Sequence, residues 1–121
     1  MGLFNTGSFK LHSGEISCFK IDCDYLSFYD LCALAVEIKR RTEPYGFVEG
    51  VPKGGIILAE ILHSGATGRD EDGLLIIDDV YTTGASMETQ RRHRPARGYV
   101  LFARRPITQP WIKSFFTMEE P

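Results

Sequence analysis

The segment from Leu74 to Ser86 constrains the fold of this chain more than any other. It begins with an unbroken apolar run, Leu74 to Ile77, and continues with the paired carboxylates Asp78 and Asp79. Such a run is typical of a strand that is buried on both faces in a parallel sheet. Open α/β sheets bind ligands beyond the carboxyl ends of their strands, where the two carboxylates are expected. The segment therefore predicts an α/β fold with a binding site at the end of this strand.

The residues after the carboxylates predict a phosphate-binding turn that leads into a helix. Glycine lets a ligand approach the backbone, hydroxyls are short donors, and free N–H groups at a helix start attract an anion. The carboxylates are expected to face away from that anion and to accept hydrogen bonds from a vicinal diol. A ligand with a phosphate at one end and two hydroxyls at the other is a ribose 5-phosphate. The alternative interpretation is a buried strand followed by a capped helix, with an Asp pair that occurs by chance. The turn residues are Thr82, Thr83, Gly84, Ala85 and Ser86.

Apolar periodicity predicts the remaining elements. Ser27 and Asp30 form a capping-box pattern that starts a helix running to about Arg41. Further helices are predicted over Ile56–His63 and from about Ser86 to before Pro95, and strands over Ile16–Ile21, Phe47–Val51 and Tyr99–Ala103. A loop with a short extended piece is predicted for Met1–Gly14 and a loop for Ser64–Gly73. The tail from Pro106 is predicted to be irregular up to a turn at Trp111–Phe116. This alternation predicts a mainly parallel sheet flanked by helices and joined by right-handed crossovers.

The thirteen residues Leu74–Ser86 resemble the 5-phosphoribosyl-1-diphosphate (PRPP) signature of type I phosphoribosyltransferases at every class position. The resemblance implies that Asp78 and Asp79 bind the ribose hydroxyls and that Thr82 to Ser86 hold the 5-phosphate. It also implies catalytic roles for Asp78, Asp79 and Lys53. Mg²⁺ is implied as the cofactor, held by the two aspartates indirectly, through ribose hydroxyls or water.

Two more segments fall where that family has functional loops. Gly50–Gly55 stands where the family has its pyrophosphate loop, which implies that Pro52, Lys53, Gly54 and Gly55 bind pyrophosphate; the alternative is a plain tight turn. Phe9–Ser17 is similar to the N-terminal segment of orotate phosphoribosyltransferases, part of a hood over the base. The resemblance implies one domain over 1–121, with a hood (1–26), a core (27–103) and a C-terminal segment (104–121). It also suggests a homodimer.

The sequence departs from the orotate enzymes in its base-side and lid segments. His12 stands where they usually have Lys, and Phe19, Lys20 and Ile21 replace their aromatic residues on the base side. The loop Ser64–Gly73 is too short for their flexible lid and lacks its catalytic Lys. Arg69 is its one candidate, although a solvated charge is favoured.

Other charged and aromatic residues have open interpretations. The C-terminal segment from Arg104 is a candidate to cover the site in place of the flexible lid. Trp111 in this segment is predicted either to stack on a base or to pack in the core or an interface. The group Arg91, Arg92, Arg94 and Arg97 is read as a solvated helix end, with phosphate or RNA contact as the alternative.

Composition bounds the class of partner. A formal net charge of -2 gives no basic excess, so neither nucleic-acid nor membrane partners are expected. Cys18, Cys23 and Cys32 are interpreted as reduced packing residues of a cytoplasmic protein. No apolar run approaches the length of a membrane span.

The sequence supports one leading hypothesis and two alternatives. The leading one is an Mg²⁺-dependent transfer of the ribose 5-phosphate of PRPP to a nitrogenous base, with orotate as the first guess. The short loop favours a second, a non-catalytic PRPP- or nucleotide-binding regulator. A third, an RNA-binding regulator, depends on the arginine group alone.

Overall fold

The computed structural model describes residues 2–10 and 16–118, and for 6–10 and 16–20 it describes the backbone alone. The strands are β1 (Phe4–Lys10), β2 (Ile16–Ile21), β3 (Phe47–Gly50), β4 (Leu74–Tyr81), β5 (Arg97–Ala103) and β6 (Ile112–Thr117). The helices are α1 (Phe28–Arg41), α2 (Ile56–His63) and α3 (Ala85–Arg91), and short 3₁₀ turns lie at Cys23–Tyr25 and Asp70–Asp72. In the described part of the chain, no helix combines the length and apolarity needed to cross a membrane.

The main sheet has the order β3-β4-β5-β6, and every neighbouring pair in it is parallel. Strands β1 and β2 form a separate antiparallel pair. The predicted α/β fold, with a parallel sheet and a small N-terminal hood, is confirmed. The carboxyl ends of β3, β4 and β5 therefore meet at one edge of the sheet, which is called the carboxyl edge below.

The core lies on both faces of the sheet because successive strand residues point to opposite sides. Leu75 and Ile77 pack with α1 and α2, whereas Ile76 and Val100 pack on the other face, which is covered by α3. Ile76 and Ile77 are both completely buried. Burial of each such side chain contributes roughly 2 kcal/mol, so β4 is a rigid support for the residues at its end.

Helix α1 begins and ends where the sequence predicts. The Ser27 hydroxyl accepts a hydrogen bond from the Asp30 N–H (3.1 Å), and the Asp30 carboxylate accepts one from the Ser27 N–H (2.8 Å). At the other end the Thr42 N–H still reaches the Ile38 carbonyl (3.0 Å), and Pro44 prevents further helix soon after.

Three elements differ from the prediction. The short extended piece predicted within the N-terminal loop is a strand of 7 residues, β1, which pairs with β2, and β4 continues past the apolar run to Tyr81. The tail predicted as irregular contains β6, an edge strand paired with β5. The adjacent aromatic residues Phe115 and Phe116 hide its alternation, and both pack on β5: Phe116 stacks on Phe102 and Phe115 lies beside Tyr99, each at 5.5 Å between ring centroids.

Candidate active site

The loop after β3 is held against the end of β4. The Val51 N–H donates to the Ile77 carbonyl (2.8 Å), and the Gly55 N–H donates to the Val51 carbonyl (2.9 Å). The peptide bond between Pro52 and Lys53 is cis. In the described part of the chain, the N–H groups of Lys53 and Gly54 donate no hydrogen bond. The loop thus presents free N–H groups and an exposed lysine at the carboxyl edge.

The same loop touches the aspartate pair. A Cβ built on Gly54 would collide with the carboxylate of Asp79, and one on Gly55 would collide with the Ile77 carbonyl. Only a residue without a side chain therefore lets this loop lie so close to β4. The structure thus brings together two segments that are separated by more than twenty residues in the sequence.

The two carboxylates have different backbone partners. Asp78 is buried and its Oδ1 accepts the Asp79 N–H (2.8 Å), whereas Oδ1 of Asp79 accepts the Val80 N–H (2.7 Å). Asp78 lines a small cavity together with Thr82 and Ser86, while Asp79 faces Gly54. The expected orientation of the two carboxylates relative to the phosphate turn stays a prediction.

Burial, followed by the hydrogen bond and negative charge of Asp79, raises the pKa of Asp78 above its ordinary value. Two carboxyl groups this close disfavour double ionisation, and removal from water adds to that cost. The pair thus retains a proton at a pH where isolated aspartates are ionised. A bound diol or cation can replace the proton's stabilising role.

The predicted phosphate turn closes the small cavity. Gly84 has a φ of 87°, in the left-handed region that glycine adopts without strain. The N–H groups of Thr82, Thr83 and Gly84 donate no hydrogen bond in the described part of the chain, while the Ala85 N–H reaches the Thr83 hydroxyl (3.3 Å). The turn therefore offers several unused donors beside Asp78.

Cys23 lies close to the aspartates, which sequence reasoning did not foresee. Burial, and then the charge of Asp79 and its acidic neighbours, raises the pKa of Cys23 to about 12. The thiol therefore stays protonated at neutral pH and is a poor nucleophile. Cys23 and Cys32 are free thiols, as interpreted from the sequence, and the side chain of Cys18 lies outside the description.

The short loop 64–73 lies at the opposite edge of the sheet. Its Thr67 and Gly68 N–H groups donate to the Tyr45 and Gly46 carbonyls, just before β3 begins (both 2.9 Å). Arg69 is exposed and forms an ion pair with Asp72 (2.9 Å). Neither the loop nor Arg69 covers the site.

Trp111 and most of the arginine group have structural contacts. The Trp111 indole donates to Glu88 (2.6 Å), and the Arg91 guanidinium lies 4.8 Å from the centre of its ring. Arg94 binds both carboxylate oxygens of Glu49 (2.7 and 2.8 Å). Trp111 therefore packs against α3 rather than being free to stack on a base.

The interpretation of these arginines as a solvated helix end is wrong for Arg91, Arg94 and Arg97. Arg97 donates to the Pro44 and Asp72 carbonyls (2.7 and 3.0 Å). Arg92 alone of the four is exposed. Tertiary contacts thus use the charges on which the RNA alternative depended.

The predicted base side lies mostly outside the description. Phe19 and Lys20 belong to β2, but their side chains are not described, and His12 lies between the described ranges. Ile21, the last residue of β2, is buried in the core. The role of these three β2 residues on the base side remains a prediction.

No group of three or more His, Cys, Asp or Glu side chains among the described residues can hold a metal ion by itself. The site instead offers the carboxylates of Asp78 and Asp79. Mg²⁺ commonly takes one or two carboxylates and completes its shell with water and substrate phosphates. The aspartate pair therefore fits a magnesium ion that arrives with a diphosphate substrate, and does not fit a protein-only metal site.

The fold of the chain is similar to that of several solved phosphoribosyltransferase structures. The chain superimposes on the crystal structure of orotate phosphoribosyltransferase from Aeropyrum pernix with a TM-score of 0.71 and 22% identity, covering 95% of this chain and 88% of that one. The Mycobacterium tuberculosis orotate phosphoribosyltransferase in complex with Fe(III) dicitrate superimposes with a TM-score of 0.65 and 16% identity, covering 94% of this chain and 89% of that one. The Helicobacter pylori xanthine-guanine-hypoxanthine phosphoribosyltransferase superimposes with a TM-score of 0.53 and 16% identity, covering 79% of this chain and 83% of that one. The chain has the type I phosphoribosyltransferase fold.

Within that class, the chain resembles the orotate phosphoribosyltransferases. The curated orotate phosphoribosyltransferase of Staphylothermus marinus is 31% identical over 111 residues, an alignment that takes in 71% of this chain and 55% of the relative. The chain thus spans about half the length of the curated relative it matches. No protein-family model matches the chain. The resemblance predicted from the sequence is confirmed.

Proposed function

We propose that this chain is a phosphoribosyltransferase. In this proposal it binds PRPP with Mg²⁺, joins the ribose 5-phosphate to a nitrogenous base, with orotate as first candidate, and releases pyrophosphate. One observation carries the proposal: the candidate pyrophosphate loop, the aspartate pair and the phosphate turn converge at the carboxyl edge. Gly54 touches Asp79, while Asp78 lines the cavity of the turn. Three segments with complementary chemistry thus lie together at one edge of the sheet.

Each segment has a distinct task in the proposed reaction. Thr82 to Ser86 hold the 5-phosphate with N–H groups and hydroxyls. Asp78 and Asp79 accept hydrogen bonds from the ribose hydroxyls and fix the sugar. Lys53 and the N–H groups beside it neutralise charge on the departing pyrophosphate.

The bond from ribose C1 to the pyrophosphate oxygen breaks, and its electron pair leaves with pyrophosphate. The base nitrogen forms the new bond to C1 and loses its proton to solvent or to the departing pyrophosphate. A bound Mg²⁺ ion supplies charge neutralisation on the diphosphate. The chain itself orients the sugar and stabilises the leaving group, so it needs no nucleophile of its own.

The comparisons support a base as acceptor but not a choice among bases. The curated relative and the Aeropyrum protein are orotate enzymes, whereas the Helicobacter protein is named for purine bases. A pyrophosphate-release assay with Mg²⁺, PRPP and a panel of pyrimidine and purine bases tests the proposal. We expect release with one base, and a loss of at least about 100-fold in the double variant Asp78→Asn with Asp79→Asn.

The control removes two negative charges at the opposite edge, through Asp70→Asn with Glu71→Gln, and should retain activity. No turnover with any base, although PRPP binds, would contradict transfer.

A second candidate is a PRPP-binding regulator without chemistry. The specific observation in its favour is that loop 64–73 lies at the edge away from the site, so it brings no lysine over PRPP. Thermal stabilisation by PRPP without pyrophosphate release would support this candidate. Steady turnover would exclude it.

A further inference from the structure

The connection between β5 and β6 crosses the carboxyl edge and reaches the phosphate turn. Tyr81, the last residue of β4, is 2% exposed, and its hydroxyl donates a hydrogen bond to Oε1 of Gln109 (2.6 Å). Nε2 of Gln109 donates in turn to the Thr83 carbonyl (3.0 Å). One glutamine amide therefore joins the end of the central strand to the middle of the turn.

The same amide packs against the left-handed glycine of the turn. A Cβ built on Gly84 would collide with the amide of Gln109 and would lie 2.9 Å from the Tyr81 ring. The Thr108 N–H adds a long contact to the Tyr81 hydroxyl (3.4 Å). Gln109 thus contacts the turn at the Thr83 carbonyl and beside the Cα atom of Gly84. These contacts leave the N–H groups of Thr83 and Gly84 available.

We propose that Gln109 and Tyr81 are positioning residues for the phosphate end of the substrate. The inference rests on the proposed function, because it assigns the turn to a ribose 5-phosphate monoester. Several N–H groups can bind one phosphate only if they converge, and a turn containing glycine has many other conformations. Fixing the turn before the ligand arrives lowers the ordering cost of binding. Neither side chain needs to touch the ligand to have this effect.

The test replaces the amide without changing the side-chain length. Gln109→Met removes the hydrogen bonds with Tyr81 and Thr83, together with a longer one from the Thr108 hydroxyl (3.3 Å), and Tyr81→Phe removes the one with Tyr81. Isothermal titration should show the Kd for ribose 5-phosphate rising about tenfold in Gln109→Met and less in Tyr81→Phe, as expected from the net effect of one or two hydrogen bonds. The Kd for inorganic pyrophosphate, assigned to the loop after β3, should not change.

The matched control is Gln90→Met. Gln90 lies on α3, the helix that follows the turn, and the change removes its hydrogen bond to Glu49 (2.8 Å), which is away from the turn. It should leave both Kd values unchanged. In turnover, Gln109→Met should raise KM for PRPP and leave kcat within about twofold, because the chemical step is untouched.

The failures of the inference and of the proposed function are distinguishable. If the unmodified protein binds ribose 5-phosphate and both variants bind it equally well, the positioning role is wrong and the function stands. An equal loss for ribose 5-phosphate and pyrophosphate would show general destabilisation and would also overturn the positioning role. If the unmodified protein binds neither PRPP nor ribose 5-phosphate, the proposed function fails and the inference fails with it. Tyr81→Phe decides the question if Gln109→Met does not fold.

Discussion

Asp78 should lower the stability of the fold at neutral pH while serving the proposed reaction. Its carboxyl is buried beside Asp79, and this burial raises its pKa. The folded protein therefore keeps a proton that the unfolded chain releases above about pH 4. By linkage, the free energy of unfolding falls as the pH rises from about 4 through the folded-state pKa. Asp78→Asn removes this penalty, because the amide is neutral at every pH.

The expected magnitude follows from the size of the pKa shift and the length of the chain. Each pH unit between the folded and unfolded pKa values corresponds to about 1.4 kcal/mol once the pH exceeds both. For 121 residues the unfolding entropy near the midpoint is about 0.25 kcal/mol/K. A shift of one pH unit would thus raise Tm by about 5 °C in Asp78→Asn, and a larger shift would raise it further.

The assay is thermal unfolding of the protein without metal or ligand, at pH 4 and at pH 8.5. We expect Asp78→Asn to match the unmodified protein at pH 4 and to exceed it at pH 8.5, while pyrophosphate release is lost. Asp72→Asn is the matched control with opposite sign: hydrogen bonds from Thr67 and Arg69 lower the pKa of Asp72, so this variant should be less stable at neutral pH. An unchanged or lower Tm for Asp78→Asn at pH 8.5 would refute the reasoning.

Further predictions concern the loop after β3 and the ion pair that holds α3. Gly54→Ala should weaken PRPP binding at least about tenfold, measured by titration, because the new methyl displaces the Asp79 carboxylate. Lys53→Met should raise the Kd for pyrophosphate without changing Tm, because Lys53 is exposed. Glu49→Gln should lower stability by about 1 kcal/mol at pH 7, after allowance for solvent exposure of the pair with Arg94. Hydrogen bonds from Arg94 lower the pKa of Glu49 to about 2, so this difference should disappear in urea unfolding as the pH falls toward 2.

The chain offers a control for each of these variants. Lys113→Met removes an exposed lysine from β6 and should leave the Kd for pyrophosphate unchanged. Gly68→Ala strains a loop glycine with a φ of 74° at the opposite edge of the sheet, so it should not affect PRPP binding although it lowers stability. Glu43→Gln removes an exposed carboxylate near β3 and should leave stability at pH 7 unchanged. Equal effects in test and control variants would contradict the assigned roles.

Local sequence was sufficient for the elements whose signals are local. The unbroken run Leu74–Ile77 specified a central strand, and Ser27 with Asp30 specified the start of α1, because each pattern depends on neighbours a few residues away. The edge strand β6 gave no such signal. Its adjacent Phe115 and Phe116 find their places on β5, which no periodicity within the segment can encode.

The sequence by itself determined the class of fold and the segment to which the proposed function assigns the ribose 5-phosphate, since strand, carboxylates and turn are contiguous from Leu74 to Ser86. Only the tertiary structure decided how that segment is completed. It placed Gly54 against the carboxylate of Asp79, placed Gln109 on the turn, and kept loop 64–73 at the far edge. The physical reason is the same in each case. These contacts join backbone and side chains that are far apart in the chain, and only the packing of the parallel sheet brings them within hydrogen-bonding distance.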